Sequence, residues 1–208
     1  DLIILPGTKN TMDDLAWLRQ SGLEGLILRC HENKVPVIGI CGGYQMLGQV
    51  LEDPFCVEHG GSMRGMGLLN TKTIFEKSKT RTRICGRAAG IEGVFWGISN
   101  MPVEGYEIHM GITKNLGGCQ TVTLLEDGRT DGLANEDFTV FGSYLHGLFD
   151  QVDFTAALLK RLMDEKGICP GKVMDAYEYE QQQYDKLAHL LSSSLDMKKI
   201  YEILEKGV

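Results

Sequence analysis

The sequence predicts an α/β domain, a central and mostly parallel sheet flanked by helices. Three observations carry this. Short apolar runs, Leu2-Ile3-Ile4-Leu5 and Val35-Pro36-Val37-Ile38-Gly39-Ile40, alternate with helical patterns. A strand–helix–strand–helix order of that kind demands parallel strands joined by right-handed crossovers. The second run is continuously apolar and β-branched, as strands buried on both faces are. Finally, both runs stop at glycine-bearing turns, Gly7 and Cys41-Gly42-Gly43. Both turns therefore share the carboxyl edge of the sheet, where open α/β sheets bind their ligands.

Composition narrows the function classes. With 208 residues, 43% hydrophobic and 24% charged, the chain can bury the core of one ordinary domain. A net charge of −7 argues against nucleic acid or an anionic membrane surface as the main partner. No apolar run approaches the roughly 20 residues that span a bilayer, and no signal peptide is visible. The six cysteines are scattered without a C-x-x-C pair, which speaks against a zinc site or a disulfide framework. Cys56-Val57-Glu58-His59 is at most half of a metal site, and no second half follows. Thiols used this way suit a reducing cytoplasm. The chain opens at Asp1 directly on a core strand, which reads as a piece of a longer polypeptide that lacks its first strands.

After the first strand, Pro6 to Asn10 form a turn-rich loop. Thr11 is the expected N-cap of a helix with an acidic first turn, carrying Leu15, Trp17 and Leu18 and breaking at Ser21-Gly22. A second helix runs from Leu23 to Glu32. The Val35–Ile40 strand then turns abruptly at Cys41 and continues as a helix through Tyr44, Gln45, Met46 and Leu47. Residues 52–66 are polar and glycine-rich and read as a loop. Segments 67–76, 80–86, 92–98 and 105–113 read as short strands separated by turns. Residues 119–125 and 138–145 read as a strand pair, the second running straight into His146. Helices are expected over 153–166, ended by Gly167 and Pro170, and over 173–204 with a weak break at Ser192–Ser194.

The stretch Gly39-Ile40-Cys41-Gly42-Gly43 carries the logic of a nucleophile elbow. A sharp strand-to-helix turn lifts one reactive side chain above the sheet, and glycine lets the backbone make the turn. The new helix also aims amide N–H groups at the thiol, which is expected to lower its pKa and to hold a developing oxyanion. A thiol nucleophile needs a base to form thiolate and an acid to protonate a leaving nitrogen. A histidine near neutral pKa does both. Cys41 and His146 stand at separate strand ends and form that candidate pair. The competing reading is a buried structural cysteine and a structural histidine.

With Leu5-Pro6-Gly7-Thr8-Lys9-Asn10-Thr11, Gly65-Met66-Gly67-Leu68-Leu69, Gly105-Tyr106-Glu107-Ile108-His109-Met110-Gly111 and Gly142-Ser143-Tyr144-Leu145-His146-Gly147-Leu148-Phe149, the elbow resembles the class I, triad-type glutamine amidotransferases. In this order the set is similar to the C-terminal glutaminase domains of the cobyric acid synthase family. The resemblance implies a flavodoxin-like class I amidotransferase fold, in which later strands of the sheet are partly antiparallel. It implies that Cys41 attacks the side-chain amide of glutamine to give a γ-glutamyl thioester and ammonia, with His146 as base and acid. The amides of Gly7 and Gly42 would form the oxyanion hole, and Gln45 would help hold the glutamine. Ammonia would pass to an N-terminal synthetase domain of the same polypeptide, which uses ATP and Mg2+ to amidate carboxylates of a corrinoid, adenosylcobyrinic acid a,c-diamide. No cofactor or metal is expected in the present domain.

Two departures stand out. The class normally orients its histidine with a glutamate two residues later, and that position is Leu148 here. Glu107 or a backbone carbonyl are the candidate orienters, Glu107 equally a structural residue. No G-x-x-x-x-G-K-[ST] phosphate loop occurs, so the ATP-using half is expected elsewhere. The rival readings are the related cobyrinic acid a,c-diamide synthases, a more distant glutaminase acting on a cell-wall lipid precursor, a non-catalytic docking module, and a thiol hydrolase on the same scaffold.

Overall fold

In the computed structural model, which describes residues 1–168 and 176–206, the two apolar runs are parallel neighbours. β1 (Ile3–Leu5) pairs with β2 (Val37–Ile40), Ile4 lying opposite Ile38. Every residue of β2 is buried, as its unbroken apolar pattern requires. Between them lie α1 (Thr11–Gln20) and α2 (Leu23–Glu32). The N-cap of α1 is Asn10 rather than Thr11: its side chain accepts from the amide of Asp13, which frees the Thr11 hydroxyl for another use. On α1, Met12 and Leu15 enter the core while Trp17 remains exposed.

Cys41 leads into the short α3 (Gly42–Leu47), whose six residues are all buried. The segment expected as a loop over 52–66 contains a hairpin. β3 (Val50–Asp53) runs antiparallel to β4 (Gly61–Arg64) and parallel to β5 (Thr71–Ala88). β5 is one strand of 18 residues where the sequence reads as two. The polar run Glu76–Lys79 resembles a turn, but pairing with β6 (Pro102–Asn115) absorbs it as an irregularity between Phe75 and Thr80. The expected strand over 92–98 is instead a 3-10 helix, Gly93–Ile98, which buries Phe95 edge-on against Phe141 with ring centroids 4.9 Å apart.

The expected pairing of 119–125 with 138–145 is interrupted by a strand between them. β7 (Gln120–Leu125) pairs with β8 (Thr130–Ala134), which in turn pairs with β9 (Val140–Ser143), all antiparallel. β9 closes the central layer by running parallel to β2, Phe141 opposite Ile38. β10 (Leu145–His146) then crosses to β6. The sheet order is β1-β2-β9-β8-β7-β5-β3-β4. It is parallel across β1, β2 and β9 and between β3 and β5, and antiparallel at its other pairings. The sheet is therefore mixed α/β as expected but not the mostly parallel one that the sequence predicts, because the strands after β3 are joined mainly by hairpins. Among the described residues β1 pairs on one side only, and Ile4 is 44% exposed.

α4 (Val152–Glu165) buries Phe154 and Leu158, matching the apolar spacing of its segment. It belongs to the unit Asp1–Pro170. A second unit, Gly171–Val208, holds α5 (Ala176–Ser194) and α6 (Met197–Lys206), with Leu187, Leu190 and Leu204 exposed. The break expected at Ser192–Ser194 falls at the end of α5. Pro170 and residues 173–175, which the sequence assigns to helix boundaries, lie outside the described residues. No described helix is long and apolar enough to cross a membrane.

Candidate active site

The carboxyl ends of β1, β2 and β9 bring three turns to one place. Cys41 adopts φ 51° and ψ −109°, a left-handed conformation that a residue with a side chain holds only when its surroundings impose it. Three backbone bonds do so. The Cys41 amide donates to Ser143 at 2.9 Å, the Gly43 amide to Pro6 at 3.1 Å, and the Gln45 amide to Cys41 at 3.0 Å. Glycine is required at 43, since a Cβ there would overlap the carbonyl oxygen of Leu5. The elbow is thus stapled to both neighbouring strands.

Gly7 lies where the pair meets. A methyl group on it would stand 3.1 Å from Cε1 of His146 and 3.4 Å from Cβ of Cys41. A methyl on Gly42 would stand 3.0 Å from the Thr8 amide nitrogen. The structure therefore gathers Gly7, Cys41, Gln45 and His146, with Gly42 packed beside Thr8 next to them, around one cleft of about 640 Å³. Thr8, Thr11, Glu58, Tyr106, Ile108 and His109 share its lining.

His146 is set by β6. It sits opposite Tyr106 in the β10–β6 register, and the two rings stack at 5.3 Å with planes only 3° apart. Burial pushes its pKa below the ordinary value, His109 adds to this, and a hydrogen bond to the Ile108 backbone opposes both. The thiol of Cys41 also points at the Ile108 carbonyl, 3.5 Å away. One backbone carbonyl thus adjoins both members of the pair.

Glu107 is not in that place. Period-two alternation puts it on the other face of β6 from Tyr106 and Ile108. There it accepts from Nη1 of Arg129 at 3.0 Å and lines a separate cavity of about 410 Å³ with Asp131 and Thr113. Of the two alternatives for Glu107, the structure supports the structural one.

The expectation of a lowered thiol pKa is also corrected. Burial raises the Cys41 pKa, the Gly42 amide lowers it, and the charges of Glu58 and Asp131 raise it further. A helix of six residues offers too little field to offset burial and two carboxylates. Both shifts, Cys41 raised and His146 lowered by burial, favour a thiol and a neutral imidazole over an ion pair at neutral pH.

Gln45 is buried in a chain of side-chain hydrogen bonds. Its carbonyl accepts from the Thr11 hydroxyl at 3.0 Å, and its amide donates to Tyr144 Oη at 3.1 Å. Tyr144 continues to Thr113 at 2.7 Å, and Thr113 to Thr73 at 2.8 Å. Burial holds the Tyr144 phenol well above its usual pKa, so it serves as a hydroxyl throughout. The stack of His109 on Tyr144, 3.8 Å between centroids, closes this wall. Thr11, Tyr144 and Glu58 are the contributors that sequence reasoning missed, and Ile108 is the residue that supplies the backbone carbonyl it left unassigned. Strand alternation within Gly105–Gly111 was the one available signal, since it separates Ile108 from Glu107. The half metal site at 58–59 resolves into two clamps on α1: Glu58 accepts from the Met12 amide at 3.0 Å, and His59 pairs with Asp13 at 2.8 Å.

Comparison with known proteins gives a consistent result. Residues 1–154 match the family model described as a CobB/CobQ-like glutamine amidotransferase domain. The cobyric acid synthase of Ruminiclostridium cellulolyticum is 46% identical, the alignment covering 100% of this chain and 42% of that protein. The cobyric acid synthase of Lachnoclostridium phytofermentans is 43% identical, covering 100% and 43%. The chain thus spans well under half the length of these curated relatives. Among solved structures, PurLQS from Thermotoga maritima superposes with a TM-score of 0.50 at 15% identity, covering 69% of this chain and 68% of that one. That likeness bears on the fold alone.

Proposed function

The chain belongs to the CobB/CobQ-like glutamine amidotransferase domain family, and from that premise we propose that it hydrolyses glutamine to supply ammonia for amidating a corrinoid. The observation that carries this reading is the cleft itself, where a strained cysteine elbow, a histidine and two backbone turns converge.

The chemistry follows from the geometry. With glutamine bound, the Cys41 thiol passes its proton to neutral His146 and its sulfur attacks the amide carbon. The oxyanion that forms is met by backbone amides of Gly7 and Gly42. His146 returns the proton to the amide nitrogen, the C–N bond breaks, and ammonia leaves a γ-glutamyl thioester behind. Water, deprotonated by His146, then releases glutamate and restores the thiol. A histidine held below its ordinary pKa is unprotonated at neutral pH and ready to accept. The Ile108 carbonyl orients the ring in place of the missing carboxylate. Gln45, fixed at both ends of its amide, shapes the pocket.

The names of the relatives extend the reading. In a cobyric acid synthase, ammonia from this domain would reach a synthetase domain in the remaining length of the polypeptide. That domain would use ATP and Mg2+ to activate carboxylates of adenosylcobyrinic acid a,c-diamide as acyl phosphates. The test is ammonia release from L-glutamine by this chain and by Cys41→Ala, each with and without a relative's ATP-dependent half and its corrinoid. Release that needs Cys41 and rises with the partner supports the proposal. No release in any mixture, with no thioester on Cys41, would leave a docking module that has kept the motif.

A further inference from the structure

Between β9 and β10 the chain changes strand partners with only Tyr144 in between. Ser143 ends the pairing with β2, opposite Ile40, and Leu145 begins the pairing with β6, opposite Glu107. At such a crossing the backbone amides leave their ladder, and buried amides must find other acceptors. Here they find side chains. Oδ1 of Asp131 accepts from the Tyr144 amide at 3.0 Å, and Oδ2 accepts from the Ser143 hydroxyl. The Ser143 hydroxyl oxygen accepts in turn from the Leu145 amide at 3.0 Å.

The polarity of this relay follows from the carboxylate. Both of its oxygens accept, so the Ser143 proton is committed to Asp131 and the lone pairs of Ser143 are left for Leu145. The Ser143 carbonyl meanwhile accepts from the Cys41 amide at 2.9 Å. One residue thus bears on the nucleophile through its main chain and on the neighbour of His146 through its side chain. Asp131 and Ser143 are both buried. Among the described residues no cation pairs with Asp131: Arg129, which lines the cavity beside it, pairs with Glu107 and Asp127. A buried carboxylate without an ion-pair partner is costly, and this one also opposes thiolate formation at Cys41. Its presence is explained by what it holds.

We propose that Asp131, acting through Ser143, is a positioning residue for glutamine hydrolysis, holding Cys41 and His146 at the separation that proton transfer between them requires. The assignment rests on the glutaminase reading above. Without the relay, the crossing from β9 to β10 is no longer fixed, and His146 loses its place against Tyr106 and Ile108. The walls of the cleft that meet the substrate stay, so kcat suffers and KM does not. The titratable groups that face Asp131 are Glu107 and His109 on β6, the Cys41 thiol, and the phenols of Tyr44 and Tyr144.

The test is glutamine hydrolysis by the wild-type chain, by Asp131→Asn, and by the pair Ser143→Thr and Ser143→Val. The folded fraction of each is read from its urea curve, and the His146 ring is followed by NMR. In either orientation an Asn amide sets an N–H against a group that itself donates. For Asp131→Asn, kcat per folded molecule should fall about 10–100-fold with KM within about threefold, the range of a hydrogen bond to a charged group. The Hε1 resonance of His146, displaced in the wild type by the stacked ring of Tyr106, should move back toward that of a free histidine. Thr and Val have nearly the same shape and differ in the hydroxyl. Ser143→Thr should therefore turn over at least about tenfold faster than Ser143→Val, and this comparison decides the matter should Asp131→Asn not fold. Equal turnover in the two Ser143 variants overturns the assignment. So does an Asp131→Asn chain whose kcat falls no further than its folded fraction, or whose His146 resonance stays put while kcat is lost. A wild-type chain that hydrolyses no glutamine, alone or with a relative's ATP-dependent half, overturns the glutaminase reading itself and the assignment with it.

Discussion

The parallel and antiparallel halves of the unit Asp1–Pro170 hold their active-site residues in different ways. In the parallel half, β1, β2 and β9 are short, β2 and β9 are buried along their whole length, and the elbow between them is fixed by backbone bonds only a few residues away. In the antiparallel half, β5 and β6 pair over a long register, and the middle of β5 is exposed. Cys41 comes from the first half. The stacking and carbonyl partners of His146, Tyr106 and Ile108, come from the second. The comparison teaches that strain at the nucleophile is carried by the core, whereas aim at the histidine is carried by a strand pair whose middle stretch is exposed. Damage to the first half should appear as lost stability, and damage to the second as lost rate.

That division can be broken in four places. The largest effect is expected from His146→Gln, which should lower kcat for glutamine hydrolysis by about 10²–10⁴-fold while leaving the urea midpoint almost unchanged. Next comes Gly43→Ala. A Cβ there has to displace the backbone of Leu5, and a loss of about 3 kcal/mol in urea unfolding is expected, at the upper end of overpacking costs. A fully stable Gly43→Ala chain would contradict the claim that the elbow is stapled to β1. Tyr106→Ala removes the ring stacked on His146 from a half-exposed position. Up to about tenfold in kcat should be lost, in line with aromatic pair energies, with folding intact. The smallest effect is expected from Glu107→Gln. It breaks the pair with Arg129 at a cost of about 1 kcal/mol and should change kcat by less than about threefold, far from the several orders that removing a triad carboxylate costs.

The pH profile sharpens the same comparison. His146 is held low, so it becomes the free base below its ordinary value of about 6.5. The acid limb of kcat/KM should therefore lie below pH 6.5. Cys41 is held high, so alkylation of the free chain by a neutral reagent should still be rising above its ordinary value of about 8.5. An alkylation plateau near neutral pH would show a resting ion pair and contradict the neutral one described above.

The same two halves differ in how far the sequence reveals them. Val35 to Leu47 is legible because burial, turn and helix are all local: an apolar run, then a cysteine between glycines, then a helical pattern. The antiparallel half depends on pairings that no local pattern states. Glu76–Lys79 has turn composition, yet it continues a strand because β6 lies alongside. Val94-Phe95-Trp96 has strand composition, yet it coils because Phe95 is drawn under Phe141. β8 is hidden by Asp131 and Gly132, residues that disfavour strands. In the site, Cys41, His146 and Gln45 announce themselves by motif. The Ile108 carbonyl has no side-chain signature, and Glu58 lies in a polar, glycine-rich stretch where its approach to the cleft depends on the buried turn at Asp53.

The central claim is that the two halves meet to make Cys41 a nucleophile toward glutamine. The most direct measurement is the intact mass of the chain quenched in acid during turnover of L-glutamine, with peptide mapping of any adduct. The account predicts a γ-glutamyl adduct on Cys41 that is lost in Cys41→Ala. Ammonia release that proceeds in Cys41→Ala, or an adduct on another residue, would contradict it.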